Sequence, residues 1–157
     1  MVASKKSSRF TKSVTAPLPP LIGALLRVPL DVVRQRIVRR LHDHGFDDLD
    51  MPHLAVLQYP GPQGIRPSEL TARSGASKQA INHLLNQIEK FGYVERRSDP
   101  HDARSKRIVL TRRGESARDT IRAAVREVEQ EWERELGTKR FATLTGLLRE
   151  LYDSLSR

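Results

Sequence analysis

"SELTARSGASKQAINHLLNQIEKFGYVERRSDPHDARSKRIVLTRRG", residues 68–114, carries two short helical patterns, a glycine-containing break and two β-like runs in close succession. Pro67 and Glu69 open the first helix, and Ser77 stands where it can cap the second. Leu70 in the first helix and Ile81, Leu84, Leu85 and Ile88 in the second form two apolar faces joined by "SGAS", which predicts a helix-turn-helix. Gly92 then ends the second helix at its C′ position. Residues 93–98 and 105–110, with Val94, Ile108 and Leu110 as their apolar positions, read as the strands of a β-hairpin. The tip between them crowds Arg104, Lys106 and Arg107 beside Asp102, more cationic charge than a solvated turn needs. An anionic partner is the expectation.

Outward from this segment the pattern is helical. Before it, Ile22, Leu25, Leu26, Leu30, Val33, Ile37 and Leu41 recur at three- and four-residue spacing with Arg34, Arg36, Arg39 and Arg40 between them, predicting a long helix over about residues 21–45 that Pro29 bends. A short helix over residues 51–58 follows, with Pro52 in its first turn. After the hairpin, Thr111 is a fitting N-cap for a long helix with Ala117, Ile121, Ala124, Val125, Val128, Trp132 and Leu136 as its apolar positions. Gly137 breaks that helix, and Phe141, Leu144, Leu147, Leu148, Leu151, Tyr152 and Leu155 line one face of another. These terminal stripes exceed what the central segment can bury. The spare faces are expected to cover each other across a two-fold axis, with Trp132 in the core or the seam.

Charge is distributed unevenly along the 157 residues. The chain is +9 overall, with +8 on residues 1–40, −4 on 41–65, +6 on 66–113 and −1 on 114–157. A basic protein of this kind meets nucleic acid or an anionic membrane. The concentration of charge on the central segment favours nucleic acid, and the near-neutral end is expected to pack or pair. Residues 1–20, rich in Ser, Lys and Pro, read as a basic flexible arm. They contain no apolar stretch of secretory type, and no run elsewhere is long enough to span a bilayer, so the expected location is cytoplasmic with no membrane partner. The absence of cysteine excludes disulfides, thiol catalysis and Cys-ligated zinc.

The same 68–114 segment resembles the DNA-binding core of the MarR family of bacterial transcriptional regulators. Asp102 and Arg104 stand in that family's Asp-x-Arg wing pattern, and Ile108 to Gly114 follow its hydrophobic-x-Leu-Thr-x-x-Gly exit. The resemblance covers about residues 21–155. It implies a mainly α fold with a small β-hairpin wing: a winged helix-turn-helix core over about residues 50–113, inside one domain spanning 21–157, with dimerisation helices over about 21–45 and 112–155. It also implies a homodimer that binds double-stranded DNA and acts as a repressor on a palindromic operator. A small aromatic or lipophilic anion in a cleft beside the dimer helices is the implied ligand, for which Arg34, Arg39 and Tyr59 are weak candidates.

The resemblance has Arg104 entering or bordering the minor groove, with Asp102 holding it. A planar, permanently charged guanidinium suits phosphate and the negative potential of a narrow groove, and a nearby carboxylate restricts its rotamers. Lys78, Gln79, Asn82 and His83 are candidates for base contact on the second helix, while Ser77 at its N-terminus suits phosphate. Arg73, Arg96, Arg97, Arg112, Lys106 and Arg107 are backbone-contact candidates.

Two other readings compete. An enzyme needs a catalytic constellation, and His42, His44, His53, His83 and His101 fall apart in sequence with no thiol to join them; a metal site from His42, His44 and Asp47 or Asp48 is the weakest expectation, and no cofactor is implied. Alternatively the fold serves as an architectural DNA-binding protein or a winged-helix protein-interaction module without ligand response.

Overall fold

A computed structural model of the chain describes residues 19–61, 63–99 and 102–155. The expected basic arm falls outside the described residues except for its last two positions, as do the side chains of Ala103 and Arg104. The order of elements is α1 (Ile22–Asp43), a 3₁₀ turn (Met51–His53), α2 (Leu54–Leu57), α3 (Pro67–Ser74), α4 (Lys78–Lys90), β1 (Val94–Asp99), β2 (Asp102–Leu110), α5 (Arg112–Leu136) and α6 (Thr138–Leu155). This is a mainly helical winged helix-turn-helix with one two-stranded antiparallel hairpin.

The ends of α4 show why the central segment folds as it does. Ser77 Oγ accepts the Ala80 amide at 3.2 Å, satisfying one of the orphan donors of the first turn. At the other end Gly92, at φ +80°, donates to the Glu89 carbonyl and Tyr93 donates to that of Ile88, closing a Schellman motif. Between the caps Ile81, Leu85 and Ile88 are buried, each contributing about 1.5–3 kcal/mol of burial. They pack into one core with Leu41, Leu49, Leu57, Leu70, Tyr93, Ile108, Ala117 and Ala124. Gly75, in the left-handed region at φ +67°, turns the chain from α3 to α4.

β1 and β2 pair from Val94↔Leu110 to Ser98↔Lys106, after which the register shifts and Asp99 faces Asp102. β2 therefore begins three residues earlier than the predicted strand. On its other edge the Ile65 amide and carbonyl exchange hydrogen bonds with Ile108 at 3.0 and 2.8 Å, tying the wing to the segment that leads into α3.

The start of α5 is welded to the exit of α4. Thr111 Oγ1 donates to the Gly92 carbonyl at 2.6 Å and accepts the Gly114 amide at 3.1 Å, while the Thr111 amide donates to the Tyr93 carbonyl. A Cβ at Gly114 would lie 2.0 Å from that same carbonyl oxygen, so only glycine fits there.

α1 runs continuously through Pro29 and packs along α5. Arg36 clasps Glu131 with two bonds of 2.8 and 3.1 Å, and Arg40 meets Glu127 at 3.0 Å. The Arg36 guanidinium, hydrogen-bonded to Glu131, is raised above its ordinary pKa, and the Glu131 carboxyl is lowered by the same bond. Of the α1 stripe only Ile37 and Leu41 are buried; Leu21, Ile22, Leu25, Leu26, Val28 and Leu30 are exposed. α6 contacts α5 and has no buried residue at all, and Leu147, Tyr152 and Leu155 are 60%, 67% and 79% exposed.

Candidate nucleic-acid interface

The burial of Ile81, Leu85 and Ile88 turns the opposite side of α4 to solvent, since a helix advances about 100° per residue. Ser77, Lys78, Gln79, Asn82, His83 and Asn86 are all exposed on it. Their chemistry is amide, imidazole, hydroxyl and one ammonium, with no carboxylate among them. Arg73, near the end of α3, and Arg112, at the start of α5, are also exposed.

The wing arginines are more committed. Arg96 donates to Asn86 Oδ1 at 2.7 Å and pairs with Glu89 at 3.2 Å, bracing β1 against α4. Arg97 pairs with Glu95, its Nε donating at 2.7 Å. Lys106 is exposed and donates to Ser98 Oγ at 3.1 Å. Asp102 is exposed and its carbonyl accepts from Ser105 Oγ. Arg104 belongs to β2, but its side chain lies outside the described residues, and with it the expected Asp102–Arg104 pair. Arg107 turns inward, with a side chain 20% exposed and an Nη1 3.8 Å from Asp99 Oδ2. Asp99, which the sequence reading did not single out, has a fully buried side chain and accepts from Arg66 Nε at 2.8 Å.

A second cluster was also missed. In the sequence Asp48 is a candidate only for the weakly expected metal site, yet it accepts from the Tyr93 hydroxyl and from Arg113 at 3.0 and 3.2 Å. Arg113 also donates to the Tyr93 oxygen at 3.0 Å, with its guanidinium 4.5 Å from the ring centroid. Burial, and then the bond to Asp48, push the Tyr93 hydroxyl up to about 12, while Arg113 works the other way. The tyrosine of "FGYV" was the available signal: a buried phenol requires a partner.

Between α1, α2 and α5 lies a cavity of about 760 Å³ whose walls include Leu30, Arg34, Tyr59, Ile121 and Val125. Arg34 and Tyr59 are thus brought together. Arg39 is not; it lines a separate cavity of about 730 Å³ with His42 and Asp50. His42 Nε2 donates to the Leu49 carbonyl, His53 Nδ1 accepts the Asp50 amide, and His44 Nδ1 donates to the Arg40 carbonyl. Among the described residues no three His, Asp or Glu side chains are grouped to hold a metal ion, and no helix is long and apolar enough to cross a membrane.

Comparison with known proteins bears on this arrangement. The sequence model of the MarR family matches residues 47–105, from the loop before α2 into the wing. The transcriptional repressor MprA of Escherichia coli K12 is 29% identical over 76 residues, which are 48% of this chain and 43% of that repressor. The chain spans about half the length of the curated relatives it matches. CouR from Rhodococcus jostii RHA1, solved bound to p-coumaroyl-CoA, superposes with a TM-score of 0.69 at 25% identity, over 86% of this chain and 91% of CouR. The Mycobacterium tuberculosis MarR family protein Rv2887, in complex with salicylic acid, superposes with a TM-score of 0.60 at 26% identity, over 88% and 98% of the two chains. The MarR family's sequence pattern thus lies on the helix-turn-helix and wing, residues 47–105, and the chain shares the architecture of MarR family proteins over most of its length.

Proposed function

We propose that this chain is a sequence-specific double-stranded DNA-binding transcriptional regulator that works in the cytoplasm as a homodimer and represses from a palindromic operator. The observation that carries the reading is the outer face of α4 from Ser77 to Asn86, capped, exposed and free of carboxylates, standing beside a cationic hairpin. Lys78, Gln79, Asn82 and His83 read base edges in the major groove, and Ser77 meets phosphate at the helix N-terminus. Arg73, Arg112 and Lys106 contact the backbone, and Arg104 on the wing reaches the minor groove. Arg96 and Arg97 bind phosphate through whatever donors their intramolecular pairs leave.

Exposed leucines on α6 and on the first half of α1 support the dimer, because apolar stripes of this length are covered by another surface in a stable protein. A second copy presents the same two stripes and closes the pair with two-fold symmetry. The two α4 helices then address half-sites about 34 Å apart. One domain over residues 21–157 serves both tasks, its core reading DNA and its terminal helices pairing.

Ligand response is supported by the cavity between α1, α2 and α5. It is apolar on most sides and is lined by the Tyr59 ring, Asp31 and Arg34, of which Arg34 supplies the cation for an aromatic or lipophilic anion. The ligands in the CouR and Rv2887 structures belong to that chemical class. Because α1 and α5 form two walls, occupation alters their separation and the spacing of the half-sites.

Selection of bound duplexes from a random pool tests the reading. One enriched symmetric motif is the expected result. Binding without enrichment would mark an architectural DNA binder, and no binding with a flat salt response would mark a protein-interaction module.

A further inference from the structure

We infer that Asp99 is the positioning residue of the wing, and that Arg66 and Arg107 are its supports and do not contact phosphate. The inference rests on the DNA-binding reading above and assigns roles within it. The register shift between Ser98 and Asp99 marks a bulge, and a bulge re-aims the side chain beside it. Here it coincides with a fully buried carboxylate side chain at the end of β1. Asp99 Oδ2 receives Arg66 Nε at 2.8 Å and lies 3.8 Å from Arg107 Nη1. Arg66 is the residue before α3, next to Ile65, whose backbone pairs with Ile108 of β2. One carboxylate thus gathers a cation from the segment entering the helix-turn-helix and one from the second wing strand. The hairpin is held at the outer edge of β2 by the backbone bonds to Ile65, and at its tip by charge.

Arg107 differs from its neighbour Lys106 in the way this role requires. Lys106 is exposed and tethered only to a serine hydroxyl, whereas Arg107 is largely enclosed, with a buried Nε that has no hydrogen-bond partner. A guanidinium already facing a buried carboxylate releases few counterions from DNA. A solvated ammonium on the same strand releases about one per phosphate it neutralises.

The test measures the affinity of the full chain for its enriched duplex as a function of salt, for the wild type and for Lys106→Gln, Arg107→Gln and Asp99→Asn. Lys106→Gln should make the log–log slope shallower by about 0.9, the value of one phosphate contact. Arg107→Gln should leave the slope unchanged, and Asp99→Asn should weaken binding about tenfold without making the slope shallower, because it uncouples two cations and removes none. A reading free of DNA accompanies it: in the unbound protein Asp99→Asn should speed hydrogen exchange of the Arg107 amide, which faces β1, and of the Ile108 amide, which bonds to Ile65, about tenfold while those of α5 stay protected. A shallower slope for Arg107→Gln, or wild-type affinity and wing protection in folded Asp99→Asn, would overturn the assignment. Where Asp99→Asn does not fold, the slope of Arg107→Gln decides. A wild-type chain that enriches no duplex counts against the regulator reading, and the exchange experiment still judges Asp99.

Discussion

Replacing Tyr93 by phenylalanine removes one buried oxygen atom and leaves the ring against Phe46, at a centroid separation of 6.1 Å. The oxygen donates to Asp48 and accepts from Arg113, and a hydrogen bond to a charged group contributes about 1.5–3 kcal/mol. Asp48 and Arg113 keep each other in the variant, so the expected loss near neutral pH is about 2 kcal/mol. The pH dependence is the sharper part. Tyr93 titrates at about 12 in the folded chain against an ordinary value near 10, so the unfolded chain releases this proton first. The contribution is therefore whole below about pH 10 and is lost as pH rises to about 12, at up to about 1.4 kcal/mol per pH unit and about 3 kcal/mol in all. Urea unfolding followed by the fluorescence of Trp132, the single tryptophan, gives stability at a series of pH values for both proteins. The other alkaline titrations are common to the two chains and cancel in the difference. The gap between wild type and Tyr93→Phe should narrow steadily above about pH 10. Two curves that stay parallel from about pH 9 to 11.5 would refute the reasoning, because they would mean that the phenol ionises alike in both states.

Other perturbations are as direct. Leu147→Asp with Leu151→Asp should convert a dimer to a monomer in sedimentation equilibrium and abolish operator binding at concentrations where the wild type is saturated, with helicity retained elsewhere. Gly114→Ala should destabilise by about 3 kcal/mol or more, read as a melting temperature lowered by roughly 6–12 °C, because the added Cβ meets the Tyr93 carbonyl at 2.0 Å. Ser77→Ala should cost about 1 kcal/mol of stability through the lost cap on α4, measured by urea unfolding. Arg104→Ala should weaken operator binding in a fluorescence-anisotropy titration while leaving the oligomeric state and helicity unchanged; equal affinity at physiological salt would remove it from the interface.

How much of this was legible in the sequence follows from the range of the interactions involved. The ends of α4 and the start of α6 are legible because their signals are local: Ser77 and Gly92 cap one, and Gly137, at φ +81°, precedes the other. The surplus of apolar residues on α1 and α6 was equally readable, as periodicity requires no knowledge of what a face meets. The role of Asp48 is not legible in the sequence because its partners are 45 and 65 positions away, and nothing within the loop distinguishes a clamped carboxylate from a solvated one. Asp99 was passed over for Asp102 because a bulge, which reverses the face of the next side chain, leaves no mark on the alternation of so short a strand. Arg34 and Arg39, five positions apart on one helix, were taken together, yet they line different cavities. The rotation of a helix about its own axis is set by packing against α5 and not by the pattern of its arginines.

The joint at Gly114 has a mechanical corollary. Two bonds from Thr111 to the Gly92 and Tyr93 carbonyls and the Asp48–Tyr93–Arg113 clamp fasten the first turn of α5 to the foot of α4, so neither can swivel alone. α4 is about 20 Å long, and torque applied along α5 is passed to it as by a crank: a turn of roughly 5° sweeps the far tip through roughly 2 Å. That travel is comparable to the reach of a hydrogen bond, so a modest twist at one end of the molecule suffices to make or break the grip at the other.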